Sequence, residues 1–237
     1  MINIPISVVI PAYNEGDWIH LPLESLAEQD FEGEFEIIVV DNGSTDATGA
    51  IARDLGARVI EEPRKGCTRA YQTGFEAANY PLIAATDADT LVSPHWLSEI
   101  EQSLSKAGVV GAYGPIAFHD ASGYRNWLAK YGFRAFLKIH DWLDKPHFSG
   151  SNMAVSRRAF QEVDGFDLSL NSASDVELSQ RLHSQGEIVY NNEMTVQTSA
   201  RRLKSRGIDF FIHHATNYFS VVWLNKHQLV RDFKDIR

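Results

Sequence analysis

The sequence contains a single cysteine, Cys67, which excludes an internal disulfide and any thiol cluster able to hold zinc or an iron–sulfur group. No stretch approaches the roughly 18 uninterrupted apolar residues of a membrane-spanning helix. The apolar run in MINIPISVVIPAYNE ends within one strand length, and neither the basic start nor the small-residue cleavage site of a signal peptide accompanies it. These absences predict a soluble, cytoplasmic protein and leave peripheral membrane contact open. Basic residues are scarce as well. Lys and Arg number 22 against 31 Asp and Glu, and the formal charge of −9 opposes nucleic-acid binding and draws in no anion from a distance. A phosphorylated substrate therefore needs local help.

Of the 237 residues, 44% are apolar and 11% aromatic, enough to bury a core and too many for a disordered chain. No repeat, low-complexity tract or linker interrupts the pattern, which predicts one continuous domain over residues 1–237. Ile6 to Ala12 reads as a strand buried on both faces, and Phe35 to Val40 as a second; Ser44 to Asp46 can cap the helix after it. Ala57 to Ile60 is a third strand, Gly66 to Asn79 a helix with small residues on one side, and Pro81 to Thr86 a fourth strand. Strands alternating with helices predict an α/β fold with a mostly parallel central sheet, in which ligands lie beyond the carboxyl ends of the strands. Val109 to Phe118, Phe148 to Val155 and a helix from about Ser174 make a less regular second half.

The chemistry gathers at the predicted strand ends. Asp87-Ala88-Asp89 follows the fourth strand, and carboxylates two apart in extended chain project the same way. Such a pair suits Mn²⁺ or Mg²⁺, hard cations held by one or two carboxylates while phosphate and water fill the remaining positions. A cation there also lets an acidic protein hold a diphosphate. The competing reading is a capped turn before Ser93-Pro94. Asp41 stands at the end of the second strand, where its carboxylate can accept the ring N–H of a uracil or guanine or, alternatively, close an Asx-turn. Pro11, Ala12, Tyr13 and Glu15 form the first strand-end loop, placed to flank a base or ribose. The loop PAYNEG lacks G-x-G-x-x-G, which excludes a Rossmann dehydrogenase.

VVIPAYNE (Val8 to Glu15), VVDNGSTDAT (Val39 to Thr48), the pattern of Lys65, Gly66, Arg69, Ala70 and Gly74, the DAD at Asp87 to Asp89, and a distal run from Ser149 to Leu182 together resemble a family 2 glycosyltransferase of the GT-A fold. The resemblance spans about residues 6 to 190 and implies a nucleotide-binding half, residues 1–90, and an acceptor-binding half, residues 91–237. It implies transfer of a sugar from a nucleotide-diphosphate donor, UDP- or GDP-linked, to a hydroxyl acceptor that is a saccharide, a small molecule or lipid-linked. It further implies that Asp41 and the first loop bind nucleobase and ribose, with Arg69 close by, that Asp87 faces ribose or sugar, and that Asp89 ligates the metal. Arg69 can instead pair with Asp41 or Asp87, which would keep those carboxylates ionised. Gly150, Ser151 and Asn152 match positions that approach the sugar, and Asp164-Gly165-Phe166-Asp167 resembles the family's GGF turn with one glycine replaced.

Ser174-Asp175-x-x-Leu178-x-x-Arg181-Leu182 resembles ED-x-x-L-x-x-RL with serine in place of the glutamate. The resemblance makes Asp175 the general base of an inverting transfer. The competing reading is a capping box, Ser174-x-x-Glu177, with Asp175 favoured by the helix dipole. Arg201, Arg202, Lys204, Arg206 and His213 form a late basic group: an arginine fork there suits a diphosphate, and His213 or His214 is a candidate third metal ligand. The Q-x-x-R-W signature of processive synthases is absent. The serine substitution keeps a catalytically impaired sugar-nucleotide-binding protein as the alternative. If the aromatic segments Tyr124 to Leu143, Phe210-Phe211 and Tyr218 to Leu224 are exposed, a lipid-linked acceptor or a homodimer becomes plausible.

Overall fold

β1 (Ile6–Ala12) sits in the middle of the molecule because helices cover both of its faces. Ile6, Val8 and Ile10 enter one apolar cluster with Leu23, Leu26, Trp96 and Ile100; Val9 enters another with Phe75, Phe160 and Leu182. Side chains alternate across a strand, so covering both faces requires the continuous apolar run that the sequence displays. Ser7 interrupts the run, and its hydroxyl is satisfied by Glu36 at 2.7 Å.

The computed structural model describes residues 3–121, 132, 134–170, 172–201, 216–224 and 230. After β1 come α1 (His20–Ala27), β2 (Phe35–Asp41), α2 (Thr48–Asp54), β3 (Arg58–Glu61), α3 (Cys67–Ala77) and β4 (Leu82–Ala85). The chain continues through β5 (Leu91–Val92), α4 (Trp96–Leu104), β6 (Val109–Tyr113), β7 (Ile116–Phe118) and α5 (Arg134–Trp142). Next are β8 (Met153–Ser156), α6 (Arg157–Glu162), α7 (Ser174–His183), β9 (Glu187–Tyr190), β10 (Val196–Thr198) and a π-helical turn, Phe219–Trp223.

Seven strands form the central sheet in the order β3-β2-β1-β4-β8-β6-β9. All neighbours are parallel except that β8 runs antiparallel to both β4 and β6. A small sheet, β5-β10-β7, lies beside it. The segment expected as one strand from Val109 to Phe118 is two, in different sheets. At the break, a Cβ on Gly114 would lie 2.0 Å from the Met194 carbonyl oxygen, and Pro115 brings no N–H to a ladder.

The expected small-residue side of α3 is real. A Cβ on Gly74 would meet Val9 Cγ1 at 2.3 Å, so the helix lies directly on β1. Because β8 is reversed, Met153 pairs with Ala85, and the turn before β8 stands at the carboxyl end of β4. In the aromatic region, α5 buries Leu137 and exposes Trp142 at 82%; Trp127, Tyr131 and Phe133 lie outside the described residues. Phe219 and Trp223 are also exposed, and Phe210 and Phe211 lie outside the described residues. Among the described residues no helix is long and apolar enough to cross a membrane.

Candidate functional site

Three adjacent parallel strands deliver the candidate residues to one edge. Ala12 is the register partner of Asp41, and the Asn42 N–H donates to the Ala12 carbonyl at 2.9 Å, so the loops after β1 and β2 leave side by side. β4 runs parallel on the other flank of β1 and continues into Thr86, whose N–H reaches the Val9 carbonyl at 3.2 Å. Asp41, the Tyr13 to Glu15 loop and Asp87 to Asp89 therefore emerge in the same direction. This is the carboxyl edge where α/β sheets take ligands.

Each carboxylate is held differently. Asp41 accepts the Ser44 N–H, three residues on, at 2.9 Å through Oδ1, which closes the loop after β2, while its Oδ2 faces Gly49, where a Cβ would stand 2.7 Å away. Asp87 accepts the Tyr71 hydroxyl at 2.9 Å. Burial, followed by the Asp87 charge, raises the Tyr71 hydroxyl well above its ordinary value, so it stays a donor. Asp89 is only 7% exposed: its Oδ1 accepts from Thr198 Oγ1 at 3.1 Å and its Oδ2 lies 2.8 Å from Arg201 Nη2. Glu15, 1% exposed, receives the same nitrogen at 2.5 Å, and its own N–H donates to Thr48 Oγ1 at 2.8 Å. Its carboxylate thus turns inward toward Arg201. Burial works against the guanidinium charge, but Glu15 and Asp89 outweigh it and raise the pKa of Arg201. The arginine expected beside buried carboxylates was Arg69, and in the structure Arg201 is the one that pairs with Glu15 and Asp89. Arg69 itself is half-buried in the first turn of α3, and among the described residues it makes no ion pair with Asp41 or Asp87.

Asp175 reaches the site through the turn before β8. Its Oδ2 accepts the Gly150 N–H at 2.8 Å, and Oδ1 accepts the Val176 N–H at 2.9 Å. Burial raises its pKa, with those backbone bonds opposing and the Asp87 charge adding to the rise. The capping box does not form. The N-cap is Ala173, in left-handed conformation at φ 57°, and makes no side-chain cap bond. Ser174 Oγ instead accepts from Thr68 Oγ1 at 2.9 Å, and Glu177 forms a bidentate pair with Arg181 one turn on. A strained non-glycine residue thus sets the start of the helix that carries Asp175.

Gly150 is required by the protein itself. A Cβ there would lie 2.2 Å from the Tyr71 hydroxyl oxygen, the group that holds Asp87. Ser151 lends its carbonyl to Thr86 Oγ1 at 3.0 Å, tying this turn to the end of β4. Asn152, expected near the sugar, is fully buried; Trp96 Nε1 donates to its Oδ1, and its Nδ2 donates to the carbonyls of Pro115 and Met194. Its whole amide group is spent on joining the two sheets. Asp164 and Gly165 both take positive φ, 58° and 71°, so the replaced glycine of the turn keeps the left-handed form that aspartate tolerates.

Around the first loop, Lys65 Nζ donates to the Tyr13 hydroxyl at 2.6 Å and stands 4.1 Å from its ring centre. Pro11 and Ala12 complete that loop's base, Pro11 partly exposed and Ala12 buried. Two positioning residues gave little sign in the sequence. Asn42 donates to the carbonyls of Glu62 and Arg64 and accepts the Gly66 N–H, which fixes the loop leading to α3. Glu62 sits beneath that loop: hydrogen bonds from Arg64 and then Thr73 hold its carboxyl down at about 2. His213, His214, Arg202, Lys204 and Arg206 lie outside the described residues.

Residues 7–164 match the family model described as "Glycosyl transferase family 2". The chain belongs to this family. Among curated glycosyltransferases, it is 28% identical over 189 residues to AglE of Haloferax volcanii, covering 76% of this chain and 62% of AglE. It is 32% identical over 129 residues to an uncharacterised glycosyltransferase of Mycobacterium tuberculosis, covering 54% of this chain and 55% of that one. The chain thus spans less than two thirds of each. The fold is that of GT-A glycosyltransferases. A Pyrobaculum calidifontis mannosyltransferase in complex with GDP-Man and Mn²⁺ superposes with a TM-score of 0.72 at 22% identity, covering 97% of this chain and 65% of that one. Staphylococcus aureus TarS residues 1–349 with UDP-GlcNAc gives 0.70 at 20% identity, covering 94% and 67%. Glucosyl-3-phosphoglycerate synthase of M. tuberculosis, with Mn²⁺, UDP and glucosyl-3-phosphoglycerate, gives 0.66 at 21%, covering 97% and 81%.

Proposed function

We propose that this chain catalyses metal-dependent, inverting and non-processive transfer of a sugar from a UDP- or GDP-linked donor to a hydroxyl acceptor. The observation that carries this reading is the placing of Asp41 at the end of β2 and of Asp87 and Asp89 just beyond β4, the two strands that flank β1, with Asp175 tied to the same edge through Gly150. Donors of both nucleotide classes occur among the structural neighbours, GDP-Man in one and UDP-GlcNAc in another.

Asp41 and the Pro11 to Glu15 loop take nucleobase and ribose, Arg69 lies beside them, and Asp87 addresses ribose or sugar. The donor set at Asp87 and Asp89 fits a hard divalent cation: both supply oxygen, and Asp89 already lies against a positive group, the Arg201 guanidinium. Among the described residues no cluster of three or more His, Cys, Asp or Glu could hold a metal alone, so a cation held by Asp87 and Asp89 would take its remaining oxygens from the donor diphosphate and water. Mn²⁺ or Mg²⁺, when bound, supplies positive charge to the departing nucleoside diphosphate. Asp175 accepts the acceptor hydroxyl proton, and its two backbone N–H partners fix the carboxylate for that task. Ser174 is occupied by Thr68, so the missing glutamate leaves Asp175 as the one carboxylate at this start of α7 aimed toward Gly150.

Calorimetry with UDP and with GDP in the presence of Mn²⁺, followed by a donor screen read by product mass, tests the reading. Nucleotide binding with no turnover of any donor would leave a sugar-nucleotide-binding protein in its place. Within the site, Tyr71→Phe is expected to weaken nucleotide-sugar binding about tenfold, the typical worth of a hydrogen bond to a charged group. The fold should persist, because the ring still packs on Phe75 and Phe166. Calorimetry paired with thermal melting separates the two effects.

A further inference from the structure

Arg201 Nη2 lies 2.8 Å from Asp89 Oδ2 and 2.5 Å from Glu15 Oε1, and its guanidinium carbon stands 5.6 Å from the Trp18 ring centre. One guanidinium nitrogen thus serves two buried carboxylates at once. The backbone before it is fixed independently: Asp120 accepts from Ser199 Oγ at 3.0 Å and from the Ala200 N–H at 2.6 Å, and Thr198 ends β10 in register with Phe118 of β7. Arg201 can therefore change partners by rotating its side chain, with no opening of the segment that bears it.

We propose that Arg201 is a built-in counter-ion of the metal site, holding Asp89 until a divalent cation takes that carboxylate over, while Glu15 and Trp18 retain the guanidinium at the edge of the site. This rests on the reading of Asp89 as metal ligand. The reasoning is electrostatic. A carboxylate as buried as Asp89 needs a positive partner, and two cations cannot share one oxygen without strong repulsion. Arg201 and the metal therefore compete for Asp89 Oδ2. Glu15 supplies the second anchor that keeps the displaced arginine from leaving. Glu15 is itself only 1% exposed, so its carboxylate needs the same positive partner. Glu15 and Arg201 are thus positioning residues, and their effect is exerted on the availability of Asp89.

The test is Mn²⁺ titration by calorimetry on the whole chain with UDP or with GDP present, referenced to nucleotide alone. Removing the competitor with Arg201→Ala should tighten Mn²⁺ binding about tenfold, within the range of typical coupling between sites, and Asp89→Asn should abolish binding in either background. Because Arg201→Ala takes the guanidinium away from the buried Glu15, the double variant Glu15→Gln/Arg201→Leu, which removes both charges together, is titrated alongside it. Equal Mn²⁺ affinity in wild type and both arginine variants, with Asp89→Asn still abolishing it, would overturn the counter-ion role and leave the metal site standing. Binding that survives Asp89→Asn, or no binding in any of the proteins, would overturn the metal reading and this inference with it. A second readout needs no turnover. Mg²⁺, which avoids paramagnetic quenching, should change the emission of Trp18 in wild type, and the change should vanish in Trp18→Phe and in Arg201→Ala. A signal unaltered in Arg201→Ala would mean the guanidinium does not move.

Discussion

Asp175→Asn is expected to lower the rate of sugar transfer by about 10²–10⁴-fold, the usual contribution of a positioned general base, while nucleotide binding remains intact. Asparagine keeps an oxygen for the Gly150 N–H and loses the capacity to take a proton. The same variant makes a prediction about stability with the opposite sign. Burial raises the folded-state pKa of Asp175 above its ordinary 3.8. A group shifted this way contributes stability fully present below its unfolded pKa and lost as pH rises through its folded pKa. At neutral pH the ionised side chain thus works against folding, so Asp175→Asn should melt at the same temperature as wild type or higher. The difference should close as pH falls toward 3.8 and below. The pH profile of kcat/KM should show an acidic limb above 3.8, because the base acts only when ionised. Unchanged turnover in Asp175→Asn would return the residue to a structural part in the start of α7.

Asp89→Ala carries the second large effect. Losing the carboxylate proposed to anchor the metal should reduce transfer by about 10²–10³-fold, the scale on which one electrostatic stabiliser of transition-state charge operates. Chelator should reproduce that loss in wild type and add little to the variant. Donor hydrolysis and product mass, followed with Mn²⁺ and with chelator in both proteins, make the comparison. The fold should tolerate the change, because Arg201 keeps Glu15 at 2.5 Å and its stacking on Trp18. Transfer that persists unaltered in Asp89→Ala with chelator present would remove the metal from this site.

Much of the first half was legible from residue order alone. β1, β4 and the end of β2 are buried on both faces, and such strands write themselves as unbroken apolar stretches punctuated by polar turns; Asp41, Asp87 and Asp89 stand at the punctuation. The second half reads less clearly because its strands are joined to neighbours far away in the chain. β6 and β7 are a single apolar segment that divides between two sheets, and β8 inserts backwards between β4 and β6. Local patterns also misled where two motifs overlap. Ser174-x-x-Glu177 has the letters of a capping box, but Thr68 and Arg181 claim its side chains first. Asn152 sits in a glycine-and-serine turn that suits a ligand, and its amide is absorbed by Trp96 and two carbonyls of the core.

Periodicity, turn chemistry and the placement of acids after apolar runs are properties of neighbouring residues, and they already specify an α/β sheet with a carboxylate-lined edge. Family membership likewise travels in motif order. Charge pairing obeys distance through space, and nothing in the local text announces that Arg201 meets Glu15 across 186 positions of chain or that Tyr71 holds Asp87. Folding alone settles which cation faces which buried carboxylate, because the Coulomb energy depends on separation and burial, and both come into being when the sheets and helices pack.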